Sequence, residues 1–230
     1  KDPIYQPPVV QSDIWTGFYF GGQGGLAAGK ASGSSRLQEF VPPGEWVNTG
    51  FGRFNDSTNL AGGVAGVYGG YNWQIGQTVL GLEGDWTWSD AEGTTYCGGA
   101  IARCKVDLDW SASLVARAGY AVGNSLWYVK GGAVWGRVAT GVSANQLLAL
   151  GFPAGTNLSD SKSETSLGWT VGMGWEHAIT RNFLVRIDYS YMDFGSQSST
   201  FRSADFADWR VRSKVDTTVN QIKVGAAFKF

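Results

Sequence analysis

Along most of this chain apolar residues alternate with small or polar ones, and the alternation returns about eight times. One copy runs Leu167-Gly168-Trp169-Thr170-Val171-Gly172-Met173-Gly174-Trp175-Glu176. Residues two apart on a strand face the same way. Leu167, Trp169, Val171, Met173 and Trp175 therefore share one face, and the glycines, Thr170 and Glu176 share the other. The last copy runs Ile222, Val224, Ala226, Phe228, Phe230. Repeated strands of roughly ten residues with one apolar face are the pattern of a membrane-spanning barrel. The periodicity predicts strands over about residues 16–28, 60–73, 78–88, 106–121, 126–138, 167–176, 182–194 and 215–230. Short connections at 74–77, 122–125 and 178–181 alternate with long ones. Outer-membrane barrels have short periplasmic turns and longer extracellular loops, and an even strand number brings both termini to the periplasmic side. The expected fold is all-β: an eight-stranded antiparallel transmembrane up-and-down barrel over residues 14–230 with four long extracellular loops. Residues 1–13, with Pro3, Pro7 and Pro8, read as an extended periplasmic arm or a disordered tail.

Alternation separates two faces without saying which one meets lipid. A lipocalin-like soluble barrel would turn its apolar face inward around a ligand, and its outer face would then be rich in Lys and Glu. Here the polar face is mostly Gly, Ser, Thr and Ala, and charged residues make up 16% of the chain, below the roughly 25% of soluble domains. The apolar face is therefore assigned to lipid. It includes Phe18, Phe20 and Leu26 on the first strand, and Leu108, Trp110, Leu114 and Tyr120 on the fourth. Rings near strand ends (Trp73, Trp86, Trp88, Tyr120, Trp127, Trp135, Trp175 and Tyr191) are expected to form aromatic girdles.

The remaining composition agrees. No stretch approaches the roughly 18 apolar residues of a membrane helix; the apolar run 146–150 is far shorter. A chain that crosses lipid without helices must close into a barrel, because every backbone amide needs a partner there. There are 34 glycines and 11 tryptophans, and the net charge is −1, so no basic surplus points to nucleic acid. The first residues, Lys1-Asp2-Pro3, carry no secretion signal, and a mature protein after signal removal is expected. Cys97 and Cys104 lie close together in a Gly-rich segment. In an envelope protein they are expected to form a disulfide; a metal pair would need further ligands that no nearby residue supplies.

The inward positions include Glu83, Asp85, Glu176 and Asp188, and Arg117, Lys130, Arg186 and Lys223. Four charges of each sign in a lumen just wide enough for side chains suggest a paired internal network; an ion path gated by rearranging pairs is the alternative. The lone histidine, His177, falls beside a short turn on the outer face. No partner serine can be matched to it from sequence, so neither catalysis nor a cofactor is expected.

Several segments resemble the small alphaproteobacterial outer-membrane β-barrel proteins of Gram-negative bacteria, a porin-like and haemin-binding-protein-like family similar in fold to the OmpA transmembrane domain. They are Trp15-Thr16-Gly17-Phe18-Tyr19-Phe20-Gly21-Gly22, Gly70-Tyr71-Asn72-Trp73-Gln74, Gly81-Leu82-Glu83-Gly84-Asp85, residues 186–195, and Lys223-Val224-Gly225-Ala226-Ala227-Phe228-Lys229-Phe230. The resemblance implies an envelope protein that maintains outer-membrane integrity and presents surface loops among outer-membrane lipid and lipopolysaccharide. It also implies recognition of Phe228 and Phe230 by the barrel-assembly machinery. Some relatives bind haemin, and some are tied to peptidoglycan through the N-terminus. A narrow small-solute channel and a surface receptor or adhesin are the other functions it allows.

Overall fold

The computed structural model describes residues 13–42, 44–48, 54–97, 102–144, 158–202 and 209–230; residues 1–12, most of the expected arm, lie outside the described residues. The strands are β1 (Gly17–Val41), β2 (Glu45–Asn48), β3 (Phe54–Ile75), β4 (Thr78–Cys97), β5 (Ala102–Val122), β6 (Ser125–Ala144), β7 (Leu158–Ala178), β8 (Phe183–Arg202) and β9 (Trp209–Lys229). β2 is a short return strand on Gln38–Val41 of β1. The other eight pair antiparallel in chain order, and β1 closes on β9 from Tyr19↔Lys229 to Glu39↔Trp209.

The register fixes the shape of the cylinder. From Phe20 the paired positions lead to Gly69, Gly84, Leu114, Ala133, Trp169, Asp193, Thr218 and back to β1 at Lys30. One circuit thus advances from position 20 to position 30 of β1. A stagger of that size in eight strands implies a tilt of roughly 43° and a backbone radius of about 8 Å. Each residue then rises about 2.4 Å along the axis.

Two-residue hairpins close β3 to β4 and β5 to β6, with Gly76 at φ 64° and Gly123 at φ 57°, the left-handed backbone that a glycine adopts without cost. The outer face carries a band of exposed apolar side chains, on β3 from Ile75 to Val67 and on β4 from Leu80 to Trp88. Ten residues at this tilt span about 25 Å, the height of a barrel's lipid-facing band. Beyond it, towards the loop end, outer positions turn polar: Lys30, Asn59, Asp90, Glu92 and Arg137 are exposed.

The strands outrun the sequence expectation most at the loop end, where β1 runs on to Val41, and by only one or two residues at the turn end. At the loop end the chain is polar on both faces, so periodicity reads it as loop while the backbone ladder simply continues. The ladder between β7 and β8 is the exception. It runs from Ala178↔Leu184 to Trp169↔Asp193 and ends, although both strands go on along their other neighbours. At that point β8 carries an extra residue between Asp193 and Ser196. Gly195 has φ 65°, and its N–H donates to Asp193 Oδ1 at 2.8 Å. The bulge bends β8 away from β7. Unpaired edges are not tolerated in hydrocarbon, and the seam opens at the loop-end margin of the apolar band, just above Trp169, with Leu167 exposed beside it.

A second irregularity corrects one facing assignment. Leu108 points into the lumen and is 2% exposed. β5 carries an extra residue between Leu108 and Trp110 relative to β6, so the bulge at Asp109 inverts the alternation beyond it. The cysteines also differ from expectation. Both lie on paired strands, with Cys97 opposite Ala102 and Cys104 opposite Thr95. That places the two cysteines diagonally, about 7–8 Å apart between Cα atoms, beyond the reach of an unstrained bridge. The structure supports no disulfide between them, and their side chains lie outside the described residues.

Leu82 is 52% exposed at mid-band. Leu82→Arg should cost about 2–4 kcal/mol in a lipid bilayer, and Thr94→Arg, above the band, about 0–1 kcal/mol. Equilibrium unfolding in vesicles checks both; equal effects would contradict a lipid-facing band.

Candidate functional site

Three layers of side chains fill the lumen. At the turn end Trp15 is fully buried and packs with Tyr19, Val79, Leu126, Tyr128 and Leu184. The residues before β1 tuck into the mouth: Trp15 N–H donates to Gln74 Oε1 at 3.0 Å, and Gln74 N–H to Thr16 Oγ1 at 3.0 Å. Lys229 Nζ donates to the Thr16 carbonyl at 3.0 Å.

The middle layer is ionic. Glu83 Oε2 lies 2.7 Å from Arg186 Nη1 and 3.0 Å from Arg117 Nη1, and its Oε1 lies 3.8 Å from Lys130 Nζ. Arg117 also holds Glu176 with two nitrogens, at 3.0 and 2.9 Å. The Nη1–Oε1 contact is a hydrogen bond between ionised partners, stronger than one between neutral groups. Lys130 Nζ is 2.8 Å from Asp188 Oδ1, and Lys223 Nζ is 3.6 Å from Asp85 Oδ1. All eight sequence-predicted charges are buried here; six form one connected cluster, and Lys223 and Asp85 form a pair beside it.

Tyrosines weld the ionic layer to the apolar one beneath it. Tyr19 donates its hydroxyl to Glu83 at 2.8 Å, and Tyr128 to Asp188 at 2.8 Å. The Arg117 guanidinium lies 4.0 Å from the Tyr128 ring centre, and that of Arg186 3.3 Å from the Tyr68 ring centre, so the cations also gain from the ring faces. Gln23 Oε1 accepts from Arg186 at 2.5 Å, and Asp85 accepts from Thr87 at 3.0 Å and from Ser113. Space for the tyrosines comes from glycine: a Cβ at Gly174 would collide with the Tyr128 hydroxyl.

Above the ions lies a second apolar layer that includes Val64, Leu108, Val134, Met192, Phe194 and Val219. The Phe194 ring covers Gly136, where a Cβ would stand 2.6 Å from it. A polar layer is thus shut between two apolar ones.

The other expected site residues sit on the outside. Trp73, Trp127, Trp175 and Tyr120 surround the turn end, and Trp86, Trp88, Trp135 and Tyr191 the loop-end side of the band. The Trp86 and Trp110 rings stack at 4.5 Å. Phe228 on β9 and Phe230 just after it are exposed and meet edge to face at 5.3 Å. His177 Nδ1 lies 3.0 Å from Ser125 Oγ, with its ring stacked on Trp175. Sequence offered no serine for it because the pairing depends on the β6–β7 register, Ser125↔His177. The pair lies on the outer face. Sequence reading also missed Trp15, Tyr19, Tyr128 and Gln23. The tyrosines were recoverable from parity, since Tyr19 follows outward Phe18 and Tyr128 follows outward Trp127. Trp15 precedes the first alternating residue and left no periodic signal.

Residues 7–230 match the outer membrane protein beta-barrel domain family. The chain belongs to that family. It is 31% identical over 235 residues to the 31 kDa outer-membrane immunogenic protein of Brucella melitensis, covering 96% of this chain and 86% of the relative. It is 27% identical to the 22 kDa outer membrane protein of Rhizobium leguminosarum, covering 98% and 82%. In fold it is similar to the outer membrane protein OprG of Pseudomonas aeruginosa, with TM-score 0.54, 16% identity, and 94% and 97% of the two chains covered. The protein is an outer-membrane β-barrel.

Arg117 neutralises two buried carboxylates. Arg117→Ala leaves Glu83 and Glu176 short of a partner and should destabilise the barrel by about 3–5 kcal/mol, read as a lower denaturant midpoint and loss of detergent-resistant mobility. An unchanged midpoint would remove Arg117 from the stabilising network.

Proposed function

We propose that this protein is a structural, non-enzymatic component of the outer membrane, a closed peg that stabilises the envelope and carries surface loops. The observation behind this reading is the three-layer filling of the lumen. A solute crossing it would have to displace Trp15, part the Glu83–Arg117–Arg186 cluster and move Phe194. In this reading the turn end faces the periplasm and both termini lie there. The polar strand extensions and long connections then stand in the lipopolysaccharide layer and beyond it. The Brucella relatives are named immunogenic, which supports surface exposure of the corresponding loops here. Phe228 and Phe230 would present the assembly signal to the barrel-assembly machinery, and residues 1–13 would be the segment available to peptidoglycan. A surface receptor or adhesin, haemin binding included, would act through the same loops.

Planar-bilayer recording tests the closed lumen: the folded protein should give no discrete conductance steps. Regular steps whose size changes in Arg186→Ala would replace the peg with a narrow channel. Protease added to intact cells should cut the loops and spare an epitope at the N-terminus; cleavage of that epitope would reverse the orientation.

A further inference from the structure

The ionic layer is not uniformly satisfied. Lys223 and Gln221 stand two apart on the inner face of β9, and both are essentially inaccessible, at 1% and 0% exposure. Neither the Lys223 ammonium nor either atom of the Gln221 amide has a hydrogen-bond partner. Asp188, opposite Lys223 in register, already accepts from Lys130, Ser190 and Tyr128; the ion-pair partner of Lys223 is Asp85, at 3.6 Å, too far for a direct hydrogen bond. Its oxygens already accept from Thr87 and Ser113.

The neighbouring wall explains the gap. Lys223 is paired in register with Gly25 of β1, and Gln221 with Ala27; the polar side chain that β1 turns inward beside them, Gln23, is taken up by Arg186 and Thr87. On the other side Ser190, opposite Gln221, commits its hydroxyl to Asp188 Oδ1 at 2.9 Å. A strong donor, a second donor and a free acceptor therefore stand two residues apart on one inner face, opposite Gly25 and Ala27. Buried polar groups of this kind are satisfied by ordered water making two to four hydrogen bonds.

We infer that Lys223 and Gln221 form a built hydration site, holding ordered water that bridges the Lys223 ammonium to the Gln221 carbonyl oxygen and to Asp85. Water fits better than a small anion for two reasons. An anion would leave Gln221 Oε1 without a donor, and the paired charges of this layer already balance. The inference uses the wall geometry alone and stands apart from whether the barrel conducts.

Crystals of the full chain from detergent, soaked in sodium bromide, decide between occupants. Ordered oxygen density within hydrogen-bond distance of Lys223 Nζ and Gln221, with no anomalous bromide peak, is the expected result. A bromide peak would make it an anion site, and direct side-chain contacts with no intervening density would abolish it. In Gln221→Leu the water should be lost and Lys223 should close onto Asp85. If that variant does not fold, the unsubstituted barrel with labelled glutamine side chains serves. A water-to-amide nuclear Overhauser effect at Gln221, of the sign given by long-lived water, is expected, and its absence overturns the inference.

Discussion

Backbone hydrogen bonding in hydrocarbon is the constraint from which the other features follow. An amide in lipid has no water to turn to, so the sheet must close, and β1 meets β9 along nearly its whole length. Closure with eight strands and the stagger traced from Phe20 to Lys30 leaves a radius of about 8 Å. Once side chains project inward, little free space remains. A lumen that narrow is filled, and whatever ionises inside it must be neutralised inside it. Glu83, approached by Arg117, Arg186 and Lys130, is the clearest consequence. The same constraint keeps the β7–β8 seam at the loop-end margin of the apolar face, where the ladder lapses just past Trp169.

The lumen is layered because each layer solves a different problem. The ionic middle offsets its desolvation through short, multiple contacts, which is the condition under which a buried pair is tolerated at all. Trp15 with its neighbours below, and Phe194 with its neighbours above, keep bulk water from competing for those contacts. Tyr19 and Tyr128 belong to both regimes, with rings in the apolar packing and hydroxyls on Glu83 and Asp188.

Period-two alternation made the barrel, its strand number and its two faces legible, because lipid outside and packed side chains inside impose opposite chemistry on neighbouring residues. The charges of the lumen were readable for the same reason, being the exceptions on a face of small residues. The pairing among them was not, since Arg117 and Glu176 meet only after β5, β6 and β7 are in register. Where a bulge adds a residue the alternation inverts without any change in composition, and Leu108 turned inward unseen. Where both faces meet water, at the loop end, alternation carries no information and strand was read as loop. Cys97 and Cys104 show the limit of spacing arguments: their separation in sequence suits a bridge, but the β4–β5 register sets them on the diagonal.

The internal charges also do something an apolar filling would not. A one-residue slip of any strand exchanges its faces. For a strand filled by Val or Leu on both sides such a slip would cost little in lipid. For β8 it would carry Arg186 and Asp188 to the lipid face and bring Ile187 and Tyr189 into the ionic layer. A basic residue at mid-bilayer costs about 2–4 kcal/mol, and the carboxylates left inside would lose their partners. β4, β5, β6, β7 and β9 each carry at least one such residue, so slips are penalised nearly all round the barrel. β1 and β3 carry none of the eight, yet a Cβ at Gly21, Gly25 or Gly66 would meet the backbone of the neighbouring strand, and a slip would bring larger residues such as Phe20 or Val67 to these crowded inner positions. Charge on some walls and glycine on others thus specify one register together.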